Sequence, residues 1–193
     1  MKKSVIITLV VLGLLLIWGV TGYNGLVTLD EQVQTQWANV ETQYQRRGDL
    51  IPNLVNTVKG YASHEKQTLE DVISARSKAT QITVNPGDLS AEKIAEYQKA
   101  QGDVSAALGK LLAISESYPD LKANQNFLEL QAQLEGTENR ISVARRDFNE
   151  RAKSYNTQIR RFPKNILAGI FGFDKVSYFE AEAGAEKAPT VEF

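Results

Sequence analysis

Two hydrophobic patterns divide this chain. Residues 4–20 are apolar almost without interruption, with Lys2 and Lys3 before them and no charged residue after them until Asp30. From Leu26 the apolar positions instead recur every three or four residues: Leu26, Leu29, Val33, Trp37, Val40 and Tyr44. The first pattern predicts a transmembrane helix, because the uncharged span of residues 4–29 exceeds the roughly 20 residues that cross a bilayer. The second is the buried stripe of an amphipathic helix. Trp18 and Tyr23 are placed for the far interface. The apolar run is long for a signal peptide, and Gly19, Val20, Thr21 and Gly22 make a poor small-x-small cleavage site, so an uncleaved anchor is favoured. Neither Lys nor Arg occurs between Lys3 and Arg46, which keeps the N-terminus in the cytoplasm and puts the bulk of the chain outside it.

The stripe reaches a punctuated stretch at residues 46–65, RRGDLIPNLVNTVKGYASHE. Gly48 can end a helix, Asp49 can cap the next, and Pro52 suits a first turn and disfavours helical geometry at Ile51. Ile51, Leu54, Val55, Val58 and Tyr61, then Leu69, Val72, Ile73 and Arg76, define a second helix from Asp49 to about Thr80. The turn signature Asn85-Pro86-Gly87-Asp88 marks a loop at residues 82–90. Ser90 then caps a third helix over residues 91–117, with Ile94, Tyr97, Val104, Leu108, Leu111 and Leu112 as its stripe. A fourth, over residues 121–161, alternates threes and fours from Phe127 to Phe162, the signature of a coiled-coil-like seam ended by Pro163.

These patterns predict an all-α protein: a transmembrane helix followed by an up-and-down four-helix bundle of long helices. A reversal at Gly48 lets every apolar stripe find an antiparallel partner. The alternative is a three-helix bundle with a kinked first helix. The expected divisions are residues 1–23 (cytoplasmic stub and anchor), 24–163 (bundle), 164–181 (a short apolar and aromatic segment) and 182–193 (a disordered acidic tail).

Composition narrows the chemistry. The chain has no cysteine, one histidine and a formal net charge of -1. That removes disulfides and thiolate zinc sites, and gives no bulk reason for a nucleic-acid partner. His64 by itself falls short of a zinc or di-iron site and reads as a solvated surface histidine. No catalytic, metal or cofactor-binding residue is therefore expected, nor any small-molecule substrate. Glu138 and Arg145, seven residues apart, lie beside the apolar seam of the last helix. With Arg46, Arg47 and Asp49 available from the first turn, these residues are expected to form a structural polar network. Between Arg140 and Lys164 eight basic residues face only two acidic ones, Asp147 and Glu150. A solvated helix face is the default reading of that run. Arg160, Arg161, Lys164, Ile170, Phe171 and Phe173 are nonetheless candidates for membrane contact, since the end of an up-and-down bundle returns to the lipid.

Three stretches carry a resemblance. YNGLVTLDEQVQTQW at residues 23–37, the stretch at 46–65, and YPDLKANQNFLELQAQLEGTENRISVARRDFN at 118–149 resemble the LemA family, as do Phe162-Pro163, Gly172-Phe173 and residues 178–181 (YFEA). The resemblance implies a bacterial membrane-anchored helical bundle and carries over no catalytic residue. The leading expectation is a non-enzymatic interaction or scaffold protein on the extracytoplasmic side of the cytoplasmic membrane, periplasmic in a Gram-negative host, with a protein partner or self-association. Lipid binding or membrane shaping is the alternative. A hydrolase or an accessory subunit of one, using Glu138, Arg145 and His64, is less favoured.

Overall fold

The computed structural model describes residues 2–180, so the acidic tail expected at 182–193 lies outside the described residues. The described residues are helical, without strands. Helix α1, Lys2–Tyr61, is unbroken over 60 residues. The expected reversal at Gly48 and Asp49 is therefore corrected, and Asp49 is an exposed mid-helix residue rather than a cap. Pro52 lacks the N–H that would bond to the Gly48 carbonyl one turn earlier, and its ring crowds that oxygen. Arg76 supplies the missing donor, its Nε reaching the Gly48 oxygen at 2.7 Å. With the acceptor satisfied, nothing forces the helix to end.

The chain turns back fourteen residues later, over residues 62–65, where Ala62 N donates to Val58 O at 2.8 Å and Glu65 N to Ala62 O at 3.1 Å. Helix α2, Lys66–Gln81, runs antiparallel to α1, and Leu69, Val72 and Ala79 form its buried side. Ile73, expected in its stripe, is exposed. Helix α3, Ala91–Ile114, heads away from the N-terminal end of α1 again and finishes in a 3-10 turn at Ser115–Ser117. Ser90 stands at its N-cap position without a side-chain bond. The expected fourth helix is divided into a short α4, Pro119–Lys122, and the long α5, Gln125–Arg160. Asn124 causes the restart: its Oδ1 accepts from Phe127 N at 3.0 Å, while its Nδ2 donates to Tyr61 Oη at 2.8 Å, tying the far turn to the end of α1. From there α5 descends antiparallel to α1. This path departs from the up-and-down layout, which reverses the chain at Gly48.

The α5 seam is buried as expected from Phe127 to Ile159 apart from the half-buried Leu130, but Phe162 is 81% exposed because the helix ends at Arg160. Buried apolar residues form two clusters. One holds Trp37, Tyr97, Phe148 and Tyr155 toward the apolar N-terminal stretch of α1, and the other holds Leu54, Leu111, Leu121 and Phe127 toward the far end. Helix α6, Lys164–Phe171, follows Pro163 and packs across α1. Its Leu167 methyl would lie 2.6 Å from a Cβ at Gly22, so any side chain at position 22 would push the Leu167 methyl aside. Gly172, at φ 71°, ends α6 in the left-handed conformation glycine tolerates.

A non-helical strap, residues 174–180, then climbs back along α5. Three side-chain amides hold its backbone. Asn156 binds both the N–H and C=O of Val176, Asn149 both of Phe179, and Gln98 both of Glu180, at 2.7–3.2 Å. Phe179 stacks on Trp37 with centroids 5.7 Å apart and planes 9° apart. The strap thus fills the core where α2 has already ended.

Candidate functional site

A polar layer separates the two apolar clusters, and Arg47 is its centre. The side chain lies on the α1 stripe between Tyr44 and Ile51 and is 1% exposed. Its Nη1 donates to Ser105 Oγ at 2.6 Å and to Glu138 Oε1 at 2.8 Å. Its Nη2 donates to both oxygens of Gln101, the backbone carbonyl at 2.9 Å and Oε1 at 2.7 Å. The Tyr44 ring lies 5.0 Å from the guanidinium carbon and adds a cation–π contact. α1, α3 and α5 are thereby fixed to one another at a single level. Glu138 has a side chain 44% exposed, so the ion pair joins a buried cation to a partly solvated anion.

Of the five residues expected in a network, Arg47 and Glu138 are bonded. Arg46 and Asp49 are exposed on α1. Arg145 turns to the strap, donating to the Glu180 carbonyl at 2.8 Å and lying over the Phe179 ring at 5.1 Å. Gln101 and Ser105 were missed, although Gln101 has a signal: it is a polar residue on the α3 stripe between Tyr97 and Val104. Arg76 and the amides Asn149, Asn156 and Gln98 were missed as well.

Next to the layer, an open groove of about 480 Å³ is bordered by Glu41, Tyr44, Asp49, Arg76, Tyr97 and Gln101. Burial raises the Glu41 carboxyl above its ordinary value, and the Trp37 indole N–H opposes this. That N–H is buried without a hydrogen-bond partner, so its pull on Glu41 is incomplete. Burial is also the first cause of the upward shift of Tyr97, with Glu41 and Tyr44 adding to it and Arg47 opposing. The two terminal nitrogens of Arg47 are spent on protein acceptors. His64 is exposed in the turn beyond α1. Glu138 lies about 21 Å along α5 from Asn124, which bonds the end of α1. The residues of the hydrolase reading are not brought together.

At the membrane end, Arg160 and Arg161 are exposed, and Lys164 leans onto α1, with its Nζ 3.2 Å from Gln158 Oε1 and near Gly25. Ile170 and Phe171 are exposed, with Phe171 4.7 Å from the Tyr23 ring. Phe173 differs from that expectation. It packs against the core and meets Tyr23 edge-on at 5.8 Å. Phe162, expected to close the seam of the last helix, and Ile166, expected to open the apolar segment after it, are exposed here too.

The chain is similar to magnetosome protein MamQ of Magnetospirillum gryphiswaldense, with 30% identity over 84% of the chain and 66% of that protein. It is also similar to magnetosome protein MamQ 2 of Paramagnetospirillum magneticum, with 27% identity over 85% of the chain and 66% of the relative. To protein LemA of Metamycoplasma hominis it is 26% identical over 82% of the chain and 68% of the relative. The chain thus spans 66% of the length of the magnetosome relatives. The model of the LemA family matches residues 36–193, which takes in the whole polar layer and the strap, and the chain belongs to that family.

Proposed function

We propose that this chain is a non-enzymatic, membrane-anchored scaffold whose helical body stands on the extracytoplasmic side of the cytoplasmic membrane and receives a protein partner or a second copy of itself. One observation carries the reading. The same helix that exposes thirteen residues, Val5 through Ile17, to its surroundings continues as the central element of the core. An exposed apolar rod is stable only in lipid, and a rigid continuation transmits that anchoring to everything packed on it. Family membership and the relatives' names, none of which describes a reaction, support a role without catalysis. The inward-facing hydrogen bonds of Arg47 support a structural use of the most buried charge.

The sidedness rests on Lys2 and Lys3. Because the chain has no native cysteine, Lys3→Cys and Asn85→Cys can be labelled singly in cells with a membrane-impermeant maleimide. An outer membrane, where there is one, is first permeabilised. Position 85 should label and position 3 should not; the reverse pattern overturns the orientation. Crosslinking in the intact membrane, read by mass spectrometry, should return inter-chain links from the helical body. Links confined to a single copy of the chain would contradict the scaffold reading.

A further inference from the structure

The protein-free part of α1 is too short for a bilayer. Residues 5–17 are exposed throughout, and one side of α1 packs against the body from Trp18, with Gly22 buried and Val20 and Thr21 still exposed. At 1.5 Å per residue the free stretch measures about 20 Å, whereas the hydrocarbon core is about 30 Å thick. Lys3 is charged and sits at the opposite boundary, so the shortfall falls on the side of the body. The bilayer must therefore rise around Trp18–Tyr23, the level at which Leu167 of α6 meets Gly22.

Helix α6 is built for that level. Leu167 and Ala168 are buried against the rest of the fold, while Ile166 and Ile170, one helical turn apart, are exposed on the other side. Phe162 and Phe171 extend the exposed apolar area, at 81% and 56% exposure. A short helix apolar on both sides needs two apolar surroundings, and the protein provides one. Arg160 and Arg161 border it, with Lys164 on the α1 side. Asp30, Asp88 and Asp174 lie on the other flank with Lys175, lining a cavity with Tyr23 and Phe171, so the charge there is acidic on balance, while the residues bordering α6 at Arg160, Arg161 and Lys164 are basic.

We infer that α6 and Phe162 form a second membrane element, lying in the plane of the leaflet nearest the body. Its Ile166, Ile170, Phe162 and Phe171 face acyl chains, and Arg160 and Arg161 sit among lipid phosphates. The inference rests on the reading of α1 as the membrane span, and goes beyond it by giving the body a fixed height and a second point of attachment. The partner is the lipid surface, with anionic phospholipid favoured at the arginines.

The test uses the full chain in bilayer nanodiscs, with a nitroxide on one introduced cysteine: Leu12→Cys in the span, Ile166→Cys or Ile170→Cys on α6, or Ile73→Cys on α2. Power saturation compares collision with oxygen, enriched in lipid, and with a nickel chelate confined to water. Labels at 166 and 170 should resemble the label at 12, and the label at 73 should be water-accessible. If 12 reads lipid while 166 and 170 read as 73 does, the inference is overturned and the span stands. If 12 itself reads water, the anchoring of the preceding section fails instead. Arg160→Glu together with Arg161→Glu should raise nickel access at 170 by severalfold in discs containing phosphatidylglycerol and leave it unchanged in pure phosphatidylcholine. Equal access in both lipids removes the phosphate contact.

Discussion

Arg47 shows how one residue can set the registry of three helices. A guanidinium at 1% exposure is tolerable because its terminal nitrogens reach four acceptors and one of them is charged. Glu138→Ala should lower unfolding stability by about 2–3 kcal/mol, somewhat below the loss for a fully buried pair because Glu138 is itself partly solvated. Arg47→Met combined with Glu138→Leu should recover much of that loss. In a double-mutant cycle Glu138 should couple to Arg47 by more than about 0.5 kcal/mol, and to Arg145, which serves the strap, by no more than about 0.3 kcal/mol. Coupling to Arg145 of the same size would show that the two arginines have been assigned the wrong partners. Glu41 makes a different prediction. Burial raises its carboxyl from the ordinary 4.5, so the folded state retains a proton that the unfolded state has lost. Its contribution to stability is therefore present below that ordinary value and fades as pH rises through the raised one. Denaturant titrations at a series of pH values should find Glu41→Gln gaining on the parent across that window and level above it. A pH-independent difference would contradict the burial of Glu41.

At the scale of elements, the instructive case is the proline that does not break its helix. Gly48, Asp49 and Pro52 carry every local sign of a boundary, and the sign is cancelled by Arg76, 28 residues further on. No local pattern reveals such a contact, because Arg76 reads from sequence simply as another position on the α2 stripe. The pair can be tested as a cycle. Arg76→Ala leaves the Gly48 carbonyl without a donor, a loss of about 1–3 kcal/mol. Pro52→Ala restores a backbone N–H to the same oxygen, so the loss should shrink by about 1 kcal/mol or more in that background. Strict additivity would mean that the two donors do not substitute for each other. The seam from Phe127 to Ile159 was legible because long-range packing and local periodicity agree there, whereas Arg47 was expected as a partner of Glu138 from a turn that the structure replaces with continuous helix. The strap was not legible, since Asn149, Asn156 and Gln98 recognise backbone and impose no pattern on the side chains they hold. Asn149→Ala with Asn156→Ala should free the strap and speed tryptic cleavage after the exposed Lys175 at least severalfold, with the rest of the chain cut no faster. Unchanged cleavage at Lys175 would argue that its apolar side chains alone hold the strap.

For the whole molecule, the consequence is mechanical. On the proposed reading of α1 as the span, a helix shared by membrane and core has no flexible joint at the level where an ordinary anchor would have a linker, and α6 packs against it at Gly22. The proposed scaffold, so mounted, would present its α3 and α5 faces and its far turn at a set distance and tilt from the bilayer. The account therefore stands on the continuity of α1 through Pro52. Nitroxides at Thr28→Cys and Lys59→Cys, both on exposed α1 positions, measure it directly by pulsed dipolar spectroscopy of the full chain in nanodiscs. An unbroken helix puts the two backbone positions roughly 47 Å apart. A chain that reverses at Gly48 would bring them to within roughly 20 Å of each other, and a distribution centred there would contradict the account at its root.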